Sequence, residues 1–202
     1  MDSKVGLAVE VLRRGGVVAL PTDTVYGLGA NPFDDAAVTR VYEIKSRPHH
    51  LALPLLLGSI SQLEVVASDV PQLAWSLAER FLPGGLTLIL HKSASVPAVV
   101  SGGGDTVAIR VPNHPVPIAV IEELRGPITG TSANLSGRRS PVTAQEVRNQ
   151  LGETVDLIID GGRCPHGVDS TVIDFSGEKP RIVREGAVSR DEVERVCGEH
   201  IF

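Results

Sequence analysis

Hydroxyls, turn glycines and two closely spaced cations crowd the stretch from Pro21 to Pro48, PTDTVYGLGANPFDDAAVTRVYEIKSRP, between two apolar runs. A polar loop that leaves a buried strand and ends one helix later in Lys45 and Arg47 reads as a cradle for an anionic ligand. Arg110 stands among apolar neighbours in TVAIRV, where a charge is costly unless it is paired, so it needs a partner. Hydroxyls and cations gather again in TSANLSGRRSP, which follows the apolar entry at Ile128. The familiar nucleotide signatures are missing. No G-x-x-x-x-G-K-[ST] occurs, and Gly27-x-Gly29 continues as Ala-Asn-Pro instead of completing a dinucleotide fingerprint. Neither Gly-x-Ser-x-Gly nor His-Glu-x-x-His appears, which removes sequence support for hydrolase and zincin mechanisms. Cys164-Pro-His166 offers two potential ligands without a third, so no metal site is assigned.

The elements that must position these groups follow from periodicity and punctuation. Ser3 to Arg14 places Val5, Ala8, Val11 and Leu12 on one helical face, stopped by Gly15-Gly16. Val17 to Leu20 is a short buried strand that delivers the TDTVYGLG loop. Asp34 or Asp35 caps a helix to about Lys45, which leaves Lys45 and Arg47 at its exit. Leu53 to Leu57 follows as a core strand, then helices over Ser59 to Val66 and Pro71 to Phe81, the second with proline in its first turn. Strands are expected at Leu86 to Leu90 and Thr106 to Val111, separated by a glycine loop at Gly102 to Gly104 that could act as a lid. Pro115 to Leu124 reads as a helix. Thr143 with Glu146, and Ser189 with Glu192, read as capping boxes opening two more. Leu157 to Asp160, Ser170 to Phe175 and Arg181 to Val183 are short strands. The pattern predicts a mixed α/β (α+β) fold, a single domain over residues 1–202 with one twisted mixed sheet flanked by helices.

Composition sets outer limits. The 202 residues are 42% hydrophobic and 21% charged, an ordinary globular balance. The start MDSKVG shows no signal-peptide pattern and no run is long enough to span a membrane. Two cysteines, Cys164 and Cys197, fit a reducing compartment and read as buried thiols. A net charge of -5 excludes a broad basic face for nucleic acid, and 3% aromatic residues make a base-stacking platform unsuitable.

The motifs PTDTVYGLG, KSRP, TVAIRVP, TSANLSG, IDGG and VDSTVID, in that order and across nearly the whole chain, resemble the YrdC-like threonylcarbamoyl-adenylate synthases. The resemblance implies a cytoplasmic nucleotidyltransferase that condenses L-threonine, bicarbonate and ATP into threonylcarbamoyl-adenylate and pyrophosphate for tRNA modification. It implies magnesium arriving with ATP, a weak or transient tRNA contact, and hand-over to a threonylcarbamoyl-transferase complex. Such chemistry needs crowded anions held in line rather than a protein nucleophile.

By the same resemblance, Lys45 and Arg47 would neutralise phosphates, and with Ser132 and Asn134 would form the catalytic set. Thr106, Ser140 and Arg184, together with Arg47, Ser132 and Asn134, would hold ATP. Thr24, Arg110 and Ser170 would surround threonine, with Arg110 as the carboxylate clamp. One departure stands out. Many relatives read Arg-Pro, a short polar turn and then Pro-Leu-Ile-Val-His, whereas this chain has a longer His49-to-Leu53 segment and Gly58 in the place of the later histidine.

Overall fold

In the computed structural model, which describes residues 2–198 and 200–201, helix α1 (Asp2–Arg13) turns Val5, Ala8, Val9 and Leu12 inward. Their spacing of three and four residues makes one apolar stripe. The chain then passes Gly15, whose positive φ of 77° suits glycine, into the fully buried strand β1 (Val18–Leu20).

β1 pairs antiparallel with β2 (Gly27–Gly29) and parallel with β8 (Leu157–Ile158), and β2 carries β7 (Thr131–Ser132) on its other side. These strands form a four-stranded sheet of order β7-β2-β1-β8. A six-stranded sheet runs β10 (Arg181–Arg184), β9 (Thr171–Asp174), β4 (Leu86–His91), β5 (Thr106–Arg110), β3 (Leu55–Leu56) and β6 (Ile128–Thr129). Both sheets mix parallel and antiparallel pairs, as the expected fold class requires.

Two sheets replace the single sheet expected from sequence, and the reason lies at Gly130. The chain leaves β6 in one sheet and enters β7 in the other after that one residue. A Cβ on Gly130 would lie 2.3 Å from Leu56 Cγ, so only glycine lets the bend pack against β3. Thr129 N–H donates to Ala30 O at 3.0 Å, which ties the sheets at this corner.

The helices follow local chemistry. In α2 (Asp35–Lys45), Asp34 Oδ1 accepts from the amides of Ala36 and Ala37 at 3.0 and 3.1 Å, and Ser46 closes the helix in a left-handed conformation. The segment expected as one helix over Ser59 to Val66 is a 3-10 turn, Ile60–Gln62, leading into the short α3 (Leu63–Val66). In α4 (Gln72–Phe81), Pro71 occupies the cap rather than the first turn. α5 (Pro115–Leu124) is capped by His114 Nδ1, which accepts from Val116 N–H at 3.2 Å.

The box at Ser189 and Glu192 is complete at the start of α7 (Arg190–Cys197). The expected box at α6 (Ala144–Leu151) is not. Thr143 caps Glu146 N–H at 3.2 Å, but Glu146 Oε2 accepts from Val142 N–H at 2.6 Å. Val142 is buried, and its amide has first need of an acceptor.

One apolar cluster joins α1 and α5 over β1, Leu56 and Ile128. A larger one gathers Tyr26, Val41, Tyr42, Leu88, Ile109 and Ile173. Cys164 lies buried in the larger cluster, while Cys197 is only partly buried beside it. Among the described residues no helix is long and apolar enough to cross a membrane.

Candidate functional site

Walls from both sheets enclose a cavity of about 190 Å³. The alternation of β5 explains one wall: Val107 and Ile109 face the core, while Ala108 and Arg110 face the cavity. The β1-to-β2 connection contributes Thr22 and Thr24, and the connection after α2 contributes Arg47. Ser132 enters from β7, Thr87 from β4, and Asp169, Ser170 and Arg184 from the β9–β10 side.

Arg110 is anchored on three sides. Its Nη2 meets Asp23 Oδ1 at 2.6 Å, Nη1 donates to Thr24 Oγ1 at 2.6 Å, and Nε donates to Gly84 O at 2.9 Å. Burial pushes the guanidinium below its ordinary range, and the Asp23 carboxylate opposes that shift. A guanidinium has five N–H donors, so these three bonds leave two for a ligand. Thr24 is itself oriented by Thr22 Oγ1 at 3.0 Å.

Ser170 Oγ lies 2.7 Å from Thr87 Oγ1. Arg184 clasps the same residue, donating from Nε and Nη2 to Ser170 O at 3.0 and 2.8 Å and from Nη2 to Ser170 Oγ at 3.2 Å. Arg47 donates from Nε to Leu51 O at 3.1 Å and from Nη2 to Ala52 O at 2.9 Å, so it orders the segment that follows it. In that His49-to-Leu53 segment, His49 stacks on Tyr42 with centroids 4.7 Å apart, and Leu53 N–H donates to Val100 O at 2.8 Å. Neither His49, His50 nor Gly58 is among the residues that line the cavity. The lining also contains no cysteine.

Lys45 takes a different place from the phosphate-facing one expected of it. Its side chain is buried beneath the TSAN loop, donating from Nζ to Ser132 O and, at 2.8 Å, to Asn134 O. Burial, with repulsion from Arg47, lowers its pKa from 10.5 to about 8, while Asp169 pulls the other way. Asn134 supports the same loop, its Nδ2 donating to Leu135 O and Arg138 O at 2.8 Å each. The pair thus acts on the shape of the wall from behind.

A second, more open hollow of about 480 Å³ adjoins the first through Val25, Asp169 and Arg184. Ser140 lies there and donates to both Asp169 oxygens, at 3.0 and 3.1 Å. Thr106 stands apart, paired with His91 at the far end of β5, about 13 Å along the strand from Arg110. It shares the strand face of Ala108 and Arg110 without lining the cavity.

Thr24, Arg47, Arg110, Ser132, Ser170 and Arg184 therefore converge on one cavity, and Ser140 on its neighbour. Four further polar residues shape this region without having been singled out: Thr22, Asp23, Thr87 and Asp169. Thr22, Asp23 and Asp169 lie inside the PTDT and VDST motifs, and the requirement of Arg110 for an anion pointed to an acid. Thr87 carried only the weak signal of a hydroxyl within LTLIL. Such a wall can hold several anionic groups in fixed register and neutralise them. Among the described residues no group of three or more histidine, cysteine, aspartate or glutamate side chains could hold a metal ion.

The Sua5/YciO/YrdC family model, described as telomere recombination, matches residues 10–186. The threonylcarbamoyl-AMP synthase of Pyrococcus abyssi is 46% identical over 196 residues, 97% of this chain and 58% of the relative. That of Bacillus subtilis is 42% identical over 198 residues, 98% of this chain and 57% of the relative. The crystal structure of P. abyssi Sua5 complexed with L-threonine matches with a TM-score of 0.96 and 45% identity, covering 100% of this chain and 59% of that one. The chain thus spans a little over half the length of these relatives. Matched by the family model over most of its residues, and similar to these relatives along nearly its whole length, the chain belongs to the Sua5/YciO/YrdC family.

Proposed function

We propose that this chain is an L-threonylcarbamoyladenylate synthase, a nucleotidyltransferase that condenses L-threonine, bicarbonate and ATP into threonylcarbamoyl-AMP and pyrophosphate. The observation that carries the reading is the convergence of Arg47, Arg110 and Arg184 on one cavity lined by hydroxyls and by no histidine or cysteine. That arrangement suits the gathering of carboxylate, carbonate and phosphates without a covalent protein intermediate. The activity named for the relatives and the threonine named with the P. abyssi structure support it.

The reaction divides into two balanced steps. The amine of threonine adds to bicarbonate with loss of water, giving a carbamate; a carbamate oxygen then attacks the α-phosphorus in line and pyrophosphate leaves. Arg110, with Thr24 and Ser170, would hold the amino acid. Arg47, Arg184, Ser132 and Ser140 would hold ATP, with Thr106 toward the adenosine end. Lys45 and Asn134 would keep the Ser132 loop in shape, a positioning contribution to catalysis. Magnesium would arrive with ATP, bound by phosphate oxygens and water, and would neutralise part of the triphosphate charge.

The product would pass to a threonylcarbamoyl-transferase complex acting on tRNA in the cytoplasm. The net charge of -5 favours a weak, local tRNA contact over a broad one. The test is pyrophosphate release and adenylate formation by the purified protein with ATP, magnesium, bicarbonate and threonine. Product should vanish when threonine or bicarbonate is omitted, and pyrophosphate release that needs neither would refute the reading.

A further inference from the structure

Asp169 is the only carboxylate among the described residues that line the cavity, and it shares that wall with three arginines. It also lines the adjoining hollow. Its position is fixed: Ser140 donates to both carboxylate oxygens at 3.0 and 3.1 Å, and Ala187 N–H donates to its backbone carbonyl at 2.9 Å. One hydroxyl fills only part of a carboxylate's roughly four acceptor positions, so Asp169 retains capacity for a further donor. It lines the cavity together with Arg110 and with Ser132 of the TSAN loop.

A cavity built only for anions would gain nothing from this group, because a carboxylate repels phosphate and carbonate alike. An α-amino acid is different: it brings an ammonium beside its carboxylate, and three guanidiniums repel that ammonium unless an acid stands nearby. Asp23 does not serve. It lies outside the lining, with Oδ1 engaged by Arg110 and by Asn113 N–H at 2.6 and 2.9 Å.

We propose that Asp169 receives the ammonium group of an α-amino acid whose carboxylate rests on Arg110, so that the cavity selects zwitterionic ligands over simple anions. The assignment rests on the amino-acid reading of this cavity. It makes Asp169 a substrate-binding and specificity-determining residue, held in place by Ser140.

The test is calorimetric titration without ATP or magnesium, comparing threonine with 2,3-dihydroxybutanoate, which keeps the carboxylate and lacks the ammonium. The unaltered protein should bind threonine tighter by about tenfold or more. Asp169→Asn, which preserves an acceptor for Ser140, should weaken threonine binding by about tenfold or more and leave the analogue unchanged. Unaltered threonine affinity in the Asn variant, or an equal loss for both ligands, overturns the Asp169 assignment alone. So does an unaltered protein that binds threonine no better than the analogue, a result that needs no variant to fold. Absence of any threonine binding by the unaltered protein overturns the amino-acid reading and the assignment with it.

Discussion

Arg110 Nη2 and Asp23 Oδ1 meet at 2.6 Å, with side chains only 8% and 3% exposed. The contact is end-on: Oδ1 also accepts from Asn113 N–H at 2.9 Å, while Oδ2 is buried with no hydrogen-bond partner among the described residues. Asp23 thus steadies Arg110 without occupying its whole fork. Removing one partner of such a pair strands the other charge in a low-dielectric setting.

Asp23→Ala and Arg110→Ala should each destabilise the fold by about 3–5 kcal/mol in urea unfolding, and the double variant should lose less than their sum. Strict additivity would show that the two side chains do not stabilise one another.

Arg110 and Arg184 sit on the same cavity but in different company, one beside Thr24 and Asp23, the other across Ser170 and open to the second hollow. Arg110→Ala should weaken threonine binding by about tenfold or more with little change for ATP, whereas Arg184→Ala, which also releases Ser170 from its clasp, should weaken both ligands. Titration of each ligand separately checks the division, and equal losses for both ligands in Arg110→Ala would dissolve it.

Much of this arrangement was legible locally. Asp34 as a cap, the Lys45-x-Arg47 exit and the period-two pattern that aims Arg110 away from Val107 and Ile109 all follow from neighbours within a few residues. What escaped depends on residues far apart in the chain. Lys45 bonds carbonyls 87 and 89 positions away, Arg110 finds Asp23 at a separation of 87, and Thr87 finds Ser170 at 83. Spacing shows that a lysine ends a helix; whether its flexible stem turns outward or under a loop is decided by the partners that tertiary packing brings. The change of sheet at Gly130 was hidden for a related reason, since Ile-Thr-Gly-Thr-Ser reads as one run and only Leu56, from another strand, makes the glycine necessary.

Gly130→Ala supplies a direct test of that corner. Its Cβ would approach Leu56 Cγ, Cδ2 and Cδ1 at 2.3, 2.7 and 3.0 Å, an overlap that no movement of a side-chain tip relieves. The variant should lose about 1–3 kcal/mol, and the same substitution made in a Leu56→Ala background, where the clashing side chain is gone, should cost less. Equal stability of Gly130→Ala and the unaltered protein in thermal melting would mean that the corner has slack.

Lys45 provides a pH-dependent test. An unfolded lysine titrates near 10.5, whereas burial brings this one to about 8. Below pH 8 both states carry the proton, and folding bears the full cost of burying the charge. Between these values the unfolded chain binds the proton that the folded chain has released, so stability rises with pH. Above 10.5 both are neutral and the cost is gone, a total gain of about 3 kcal/mol. Lys45→Met removes this titration together with the amine's bonds to the carbonyls of Ser132 and Asn134 at every pH. The stability of the unaltered protein minus that of Lys45→Met should therefore be flat up to about pH 8 and climb toward pH 10.5, since other titrating groups cancel in the difference. Urea unfolding of both proteins from pH 7 to 11 measures it, and a difference that stays level or falls with pH would contradict a charged amine held beneath the loop.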